Sequence, residues 1–244
     1  MNKNILELRK KFLEICNLGW VKSFRKGSTG IGYTFESLLG KSEDALCLPD
    51  YNGIEIKTHR KNSRSYVHLF NYNPIGDSSY ELMRLFNAYS YPHTSNKHFN
   101  VLHAKVYCNY IKDVGKNYKF SLEVDEINRR IYLLVFSRYG IFIEKKSYWT
   151  FETLKEKLYS KLRYLAYVEA DYKYQNGHEY FKYSKITFYT LKDFDCFLRL
   201  IKSSKIKVSF FISEKNENNG CINSHGASFS IKPENLNLLF TPID

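Results

Sequence analysis

At 244 residues and 43% hydrophobic, the chain is long enough for one large domain or two packed lobes, and too apolar for a disordered protein. No apolar run approaches the roughly 20 residues of a membrane span, and the N-terminus lacks the apolar segment of a secretory leader, so a cytoplasmic protein is expected. Lysine and arginine outnumber the acids 37 to 25, and a net charge of +12 favours a polyanionic partner, nucleic acid before others.

Residues 3–17 place Ile5, Leu6, Leu8, Phe12, Leu13 and Ile15 at helical spacing, and Gly19-Trp20 ends that helix. Ser28-Thr29 read as the N-cap region of a second helix carrying Ile31, Phe35 and Leu38 and stopping at Gly40. Strands are expected at 53–59 and 66–70 across a polar turn, then a helix at 78–89. Val-, Ile-, Tyr- and Phe-rich strands near 101–108, 118–125 and 130–137 follow. A helix at 150–163, strands near 164–172 and 179–189, a helix at 191–203 and strands at 206–212 and 226–232 complete the pattern, the last two joined by an Asn-rich loop at 214–224. Helices lead, strands dominate the middle, and no regular βαβ repeat appears, which predicts an α+β fold with a mixed sheet flanked by helices. The chain reads as a single domain over 1–244, with lobes of about 1–95 and 96–244 meeting at the polar stretch near 90–100. The five cysteines are scattered and odd in number, which argues against a disulfide framework or a zinc knuckle.

Chemistry concentrates in Pro49-Asp50-Tyr51-Asn52-Gly53-Ile54-Glu55-Ile56-Lys57-Thr58. A turn at Asn52-Gly53 enters a strand in which Glu55 and Lys57 share a face, and Asp50 can swing toward them. Two carboxylates and an ammonium suit phosphodiester hydrolysis. Hard oxygen donors from Asp50, Glu55 and the Ile56 carbonyl select Mg²⁺, and Lys57 stabilises developing charge. The same trio also fits a solvated hairpin whose Glu55–Lys57 pair contributes about 0–1 kcal/mol. The glycines at 27, 30 and 32 are not followed by Gly-Lys-Ser/Thr, so a nucleotide-binding loop is excluded.

The context narrows this. Lys26-Gly27-Ser28-Thr29-Gly30-Ile31-Gly32, a helix bearing Glu36, Pro49-Asp50 and Gly53-Ile54-Glu55-Ile56-Lys57-Thr58 together resemble the MvaI/BcnI restriction endonucleases. These are relatives of the strand-nicking repair enzyme MutH within the PD-(D/E)XK nucleases. Tyr148-Trp149-Thr150-Phe151 and Lys161-Leu162-Arg163-Tyr164 look like the family's middle, and Ser224-His225-Gly226-Ala227-Ser228-Phe229 looks like its C-terminal recognition segment. The resemblance implies a PD-(D/E)XK core with two lobes around a DNA cleft. It also implies a monomeric type II enzyme that cuts double-stranded DNA with Mg²⁺, alongside a cognate DNA methyltransferase.

Asp50 and Glu55 then match the metal-binding carboxylates, Lys57 the catalytic lysine, and Glu36 an acidic residue approaching the same site. Lys26, Ser28 and Thr29 would lie by the DNA backbone, where helix amides grip phosphate. Thr58, His59 and Arg60, running off the catalytic strand, and His225 with Gly226 are further candidate DNA contacts. Ser209, Phe211 and Ser230 stand where the family carries charged base-reading side chains, so its target sequences are not carried over. His103 reads as a core histidine and His178 as an exposed turn residue. A MutH-like nickase is the nearest alternative, and a catalytically inactive DNA-binding protein a more distant one.

Overall fold

The computed structural model describes residues 3–40, 49–95, 99–214 and 222–243. Cys47, Cys221 and most of the Asn-rich 214–224 loop fall outside these ranges. Cys16, Cys108 and Cys196 are free thiols. No helix among the described residues is long and apolar enough to cross a membrane.

Contacts divide the chain into two compact units, neither of them a continuous stretch. The first is Met1–Val67, Tyr159–Lys192 and Phe240–Asp244; the second is His68–Leu158 and Asp193–Leu239. This differs from a division at residue 95, because the chain leaves the first unit after one catalytic strand and returns to it for the strand that pairs with it.

The first unit is a five-stranded sheet covered by helices. Strand Ile54–Arg60 pairs in parallel with Tyr164–Gln175, so that Glu55 lies opposite Leu165 and Lys57 opposite Tyr167. Tyr164–Gln175 pairs antiparallel with His178–Leu191, which carries Val21–Lys22 and Phe240–Ile243 on its far side. Helices Lys3–Asn17 and Gly30–Leu38 bury Ile5, Leu8, Phe12, Ile15, Ile31 and Phe35 against Ile54, Ile56, Ala166, Val168 and Phe181 of the sheet. Each such aliphatic or aromatic side chain contributes about 1.5–3 kcal/mol by leaving water. The Tyr183 hydroxyl donates to the Ile31 carbonyl at 2.8 Å, pinning the second helix to the sheet.

The second unit holds two five-stranded sheets. One orders Val67–Asn71, Ile222–Ile231, Ile206–Glu214, Asn100–Val106 and Tyr91–Pro92. The other is built on Tyr118–Asp125 and Arg130–Ser137. In the first of these sheets Phe210, Phe229 and Phe70 pack against Trp149 and Phe197, and the Trp149 indole donates to the Tyr72 carbonyl at 2.8 Å.

Helix and strand positions follow the hydropathy pattern closely, but the pairing does not. Strands Ile54–Arg60 and Val67–Asn71 are separated by only a short polar turn, yet they do not pair with each other. Instead the first joins Tyr164–Gln175, and the second joins a sheet of the other unit.

Candidate active site

Pro49 and Asp50 lead into a tight turn in which Tyr51 and Ile54 exchange both backbone hydrogen bonds, at 2.9 and 2.8 Å. That turn returns Asp50 beside the strand, where its Oδ2 accepts the Ile56 amide at 2.9 Å. Glu55 and Lys57 share a face, as strand alternation requires, and the Lys57 ammonium donates to Glu55 Oε1 at 2.6 Å. Both sides of this strand are covered: Ile54 and Ile56 lie in the helix-packed core, and Glu55 is only 1% exposed. A solvated hairpin is therefore excluded. Burial pushes the Glu55 carboxyl above the usual carboxylate range, against the pull of Lys57; Asp50 adds to the rise and Lys161 opposes it.

Lys161 is the residue that sequence reasoning left without a role. It sits near the C-terminal end of helix Phe151–Leu162, with its ammonium 3.6 Å from Glu55 Oε1. Its signal was present in the Lys161-Leu162-Arg163-Tyr164 run just ahead of the strand that pairs with the catalytic one. Only the parallel pairing of Tyr164 with Ile54 brings it to Glu55.

Both ammonium groups face Oε1. The second oxygen, Oε2, is buried and has no hydrogen-bond partner. An unsatisfied buried carboxylate oxygen is costly, and a hard cation held with Asp50 would satisfy it. The donor set, carboxylate oxygens without thiolate or imidazole, fits Mg²⁺ in kind. Among the described residues no group of three or more His, Cys, Asp and Glu side chains is gathered as a metal cage.

The remaining expected residues fall into two sets. Glu36, on Gly30–Leu38, is half-buried; its carboxylate and the Thr58 hydroxyl both border Gly32, at 3.7 and 3.3 Å from where a Cβ would stand. Lys26, Ser28 and Thr29 are exposed ahead of that helix. Thr29 takes the N-cap position without a side-chain cap. Gly30 is required by close approach, since a Cβ would lie 2.5 Å from the Arg25 carbonyl oxygen and 2.6 Å from Ser23 Oγ.

His59 and Arg60, in contrast, are engaged within the protein. His59 is buried, its Nε2 3.1 Å from the Ser65 carbonyl and 2.9 Å from its hydroxyl. The Arg60 guanidinium donates twice to Glu179, at 2.7 and 2.8 Å, and to the carbonyls of Ser28 and Gly27 at 3.1 and 3.2 Å.

In the second unit, His225 and Gly226 occupy a bulge. Pairing steps from Phe210–Ala227 to Ile212–Ser224, so the strand Ile222–Ile231 carries one extra residue there. Gly226 has φ +76°, and a Cβ would meet Asn73 Oδ1 at 2.8 Å. A bulge re-aims the side chains beside it, and His225 is exposed. His178 is exposed in its turn, as expected, but His103 is not a core residue: it is exposed and lies against the Phe211 ring.

The family model described as "MvaI/BcnI restriction endonuclease family" matches residues 9–240. The chain belongs to the MvaI/BcnI restriction endonuclease family. A solved structure titled "Restriction endonuclease MvaI-cognate DNA substrate complex" aligns over 100% of this chain and 98% of its own, with 32% identity and a TM-score of 0.91. "Restriction endonuclease MvaI in the absence of DNA" aligns over the same shares at 31% identity and a TM-score of 0.62. Comparison with curated protein sequences yields no match. As a member of the MvaI/BcnI family the chain is a nuclease of restriction-endonuclease type, and its mixed α+β architecture accords with the PD-(D/E)XK-like fold expected from the sequence.

Proposed function

We propose that this protein is a type II restriction endonuclease that hydrolyses double-stranded DNA at a short specific sequence with Mg²⁺ as cofactor. The observation that carries the reading is Glu55, a buried carboxylate with one oxygen held by Lys57 and Lys161 and the other unsatisfied. Asp50 and Glu55 would hold the cation, with the Ile56 carbonyl as a further ligand. When bound, the cation supplies Lewis acidity at the scissile phosphate. Lys57 stands beside Glu55, placed to orient the attacking water and to stabilise charge developing on the phosphate. Asp50 accepts the Ile56 amide, which holds its carboxylate beside the catalytic strand. Glu36, whose carboxylate borders Gly32 as the Thr58 hydroxyl does, is assigned as the further acidic residue approaching the same site.

Recognition is assigned to the exposed Lys26, Ser28 and Thr29 toward the phosphate backbone, the half-buried Thr58 at the catalytic strand, and the exposed His225 with the half-buried Gly226 on the bulge. The net charge of +12 supplies long-range attraction for DNA. The relative solved with its cognate DNA supports duplex DNA as substrate. The further elements of this reading are a monomeric enzyme, a cytoplasmic setting and a partner methyltransferase that protects the host's own sites.

Purified protein with Mg²⁺ is expected to linearise supercoiled plasmid into discrete fragments without any added protein. Lys57→Ala is expected to lower the rate by at least about 100-fold, the scale of losing one group that stabilises transition-state charge. Nicked circles as the only product would indicate a MutH-like nickase, and an intact plasmid over a range of DNA and salt would refute the nuclease assignment.

A further inference from the structure

The strand Ile206–Glu214 turns Val208, Phe210 and Ile212 into the core of the second unit. It leaves Lys207, Ser209 and Phe211 on the opposite face. Phe211 is 41% exposed there, in the middle of a sheet. Its antiparallel partner is His103, whose ring lies 5.4 Å from that of Phe211, and the next same-face pair is Ser209 with Lys105. On the other flank the strand pairs with Ile222–Ile231, at the bulge of His225 and Gly226. Phe211, His103, Lys105, Tyr107, Lys112 and Asp113 line an open hollow of about 360 Å³. Partial desolvation against the neighbouring rings, with a smaller contribution from His93, lowers the His103 pKa from its usual value, which favours the uncharged ring. Ser209, one step along the same face, is 2% exposed, and its hydroxyl has no hydrogen-bond partner.

The hollow thus combines an exposed apolar ring and an imidazole with two lysines and one carboxylate on its lining. A ligand that suits it is anionic overall and carries, on an otherwise polar edge, one small apolar group. The major-groove edge of duplex DNA has that composition. Its phosphates answer the lysines, its base edges offer donors and acceptors, and the only apolar group it shows is the methyl at C5 of a pyrimidine. We propose that Phe211 and His103 read a pyrimidine C5-methyl group in the target duplex, making Phe211 a specificity-determining residue. This rests on the reading of the protein as a DNA-binding nuclease. The methyl has two sources, thymine and 5-methylcytosine, which present the same group.

The test measures binding, so that it does not depend on cleavage. Wild type and Phe211→Ala are used to select bound sequences from a pool of DNA duplexes with a randomised core. The selected duplex is then remade with single thymines replaced by uracil, and separately with single cytosines replaced by 5-methylcytosine. At one thymine, loss of the methyl is expected to weaken wild-type binding about tenfold, and Phe211→Ala is expected to bind the two duplexes equally. If the methyl belongs to 5-methylcytosine, its introduction at one cytosine strengthens wild-type binding by a similar factor and leaves Phe211→Ala unaffected. Because the ring is exposed, Phe211→Ala is expected to melt with the wild type, and Phe211→Leu to retain part of the discrimination. The proposal is overturned if no sequence is enriched, if neither substitution changes wild-type binding, or if the variant shows the same ratios as wild type. Failure of plasmid cleavage would instead overturn the nuclease reading, leaving a methyl-dependent binding result intact.

Discussion

Glu55 is confronted by more positive charge than its own strand supplies. Lys57 is its neighbour at i+2, and strand periodicity alone puts the two on one face. Lys161 comes from a helix more than a hundred positions later, and it shares the same oxygen. Any cation that binds Glu55 therefore competes with two ammonium groups. Replacing Lys161 by Met removes one competitor. At an effective dielectric near 20 the attraction between unit charges about 4 Å apart is about 4 kcal/mol. Lys161 is 21% exposed, so solvent screens a good part of this. Lys161→Met is therefore expected to tighten binding of Ca²⁺, measured calorimetrically in the absence of DNA, by about tenfold, and to lower the cleavage rate in Mg²⁺. Unchanged Ca²⁺ affinity would mean that Lys161 does not act through the charge on Glu55. The residue scale is where sequence was most and least informative within one site. Asp50, Glu55 and Lys57 lie within eight residues, and a local rule unites them. Lys161 and the burial of Glu55 depend on a tertiary pairing that no local rule expresses.

Arg60 shows the same division at the level of elements. It lies at the end of the catalytic strand, where a basic side chain reads naturally as a DNA contact. Instead its four hydrogen bonds tie three elements together: the strand itself, Glu179 on His178–Leu191, and the Gly27–Ser28 loop that precedes the second helix. Glu179 is buried and Arg60 largely so. Glu179 raises the Arg60 pKa further above its already high value, which leaves the guanidinium charged at every accessible pH.

Removing one partner of a buried pair leaves the other uncompensated, at a typical cost of 3–5 kcal/mol. Arg60→Ala is expected to lose about that much. Arg60→Lys is expected to lose roughly half of it, because an ammonium cannot span both Glu179 oxygens and two carbonyls. In a chain of this size each kcal/mol lowers the melting temperature by about 2–4 °C. The double variant Arg60→Met with Glu179→Met is expected to melt above Arg60→Met alone. If the single losses simply add, the pair is not coupled. Elsewhere the elements were legible because each carries its own pattern. Ser78 caps helix Ser79–Tyr89 by accepting the Glu81 amide, for example. The strands missed, such as Val21–Lys22, Lys112–Val114 and Phe142–Glu144, have two or three residues each and are too short to show a period.

For the molecule as a whole, the informative failure is the boundary. A polar run of Ser, Tyr, Pro, His and Thr near residue 90 has the composition of a linker, yet the contacts place residues 68–158 in one unit and bring the chain back to the first at Tyr159. Composition reports where a chain can be exposed. It does not report which strands pair, and here the deciding pairs join Ile54 to Tyr164 and Val21 to Phe181. A prediction follows for the fragment 1–95. It would contain Val21–Lys22 and Ile54–Arg60 from the first sheet. These two strands are not neighbours, and both strands that separate them, His178–Leu191 and Tyr164–Gln175, would be missing. The helices Lys3–Asn17 and Gly30–Leu38 would lose Ala166, Val168, Ala170, Phe181, Tyr183 and Phe188 from the core that they cover. At about 1.5–3 kcal/mol for each of the four large side chains among them, the loss is about 6–12 kcal/mol, comparable with the roughly 5–15 kcal/mol by which whole domains are stable. Fragment 1–95 is therefore expected to give a circular dichroism spectrum low in sheet and no cooperative thermal transition, whereas the intact chain gives one. A cooperative melt of the fragment would show that the catalytic strand reaches its fold without the strand that flanks it, and would undercut the placement of Lys161 at Glu55.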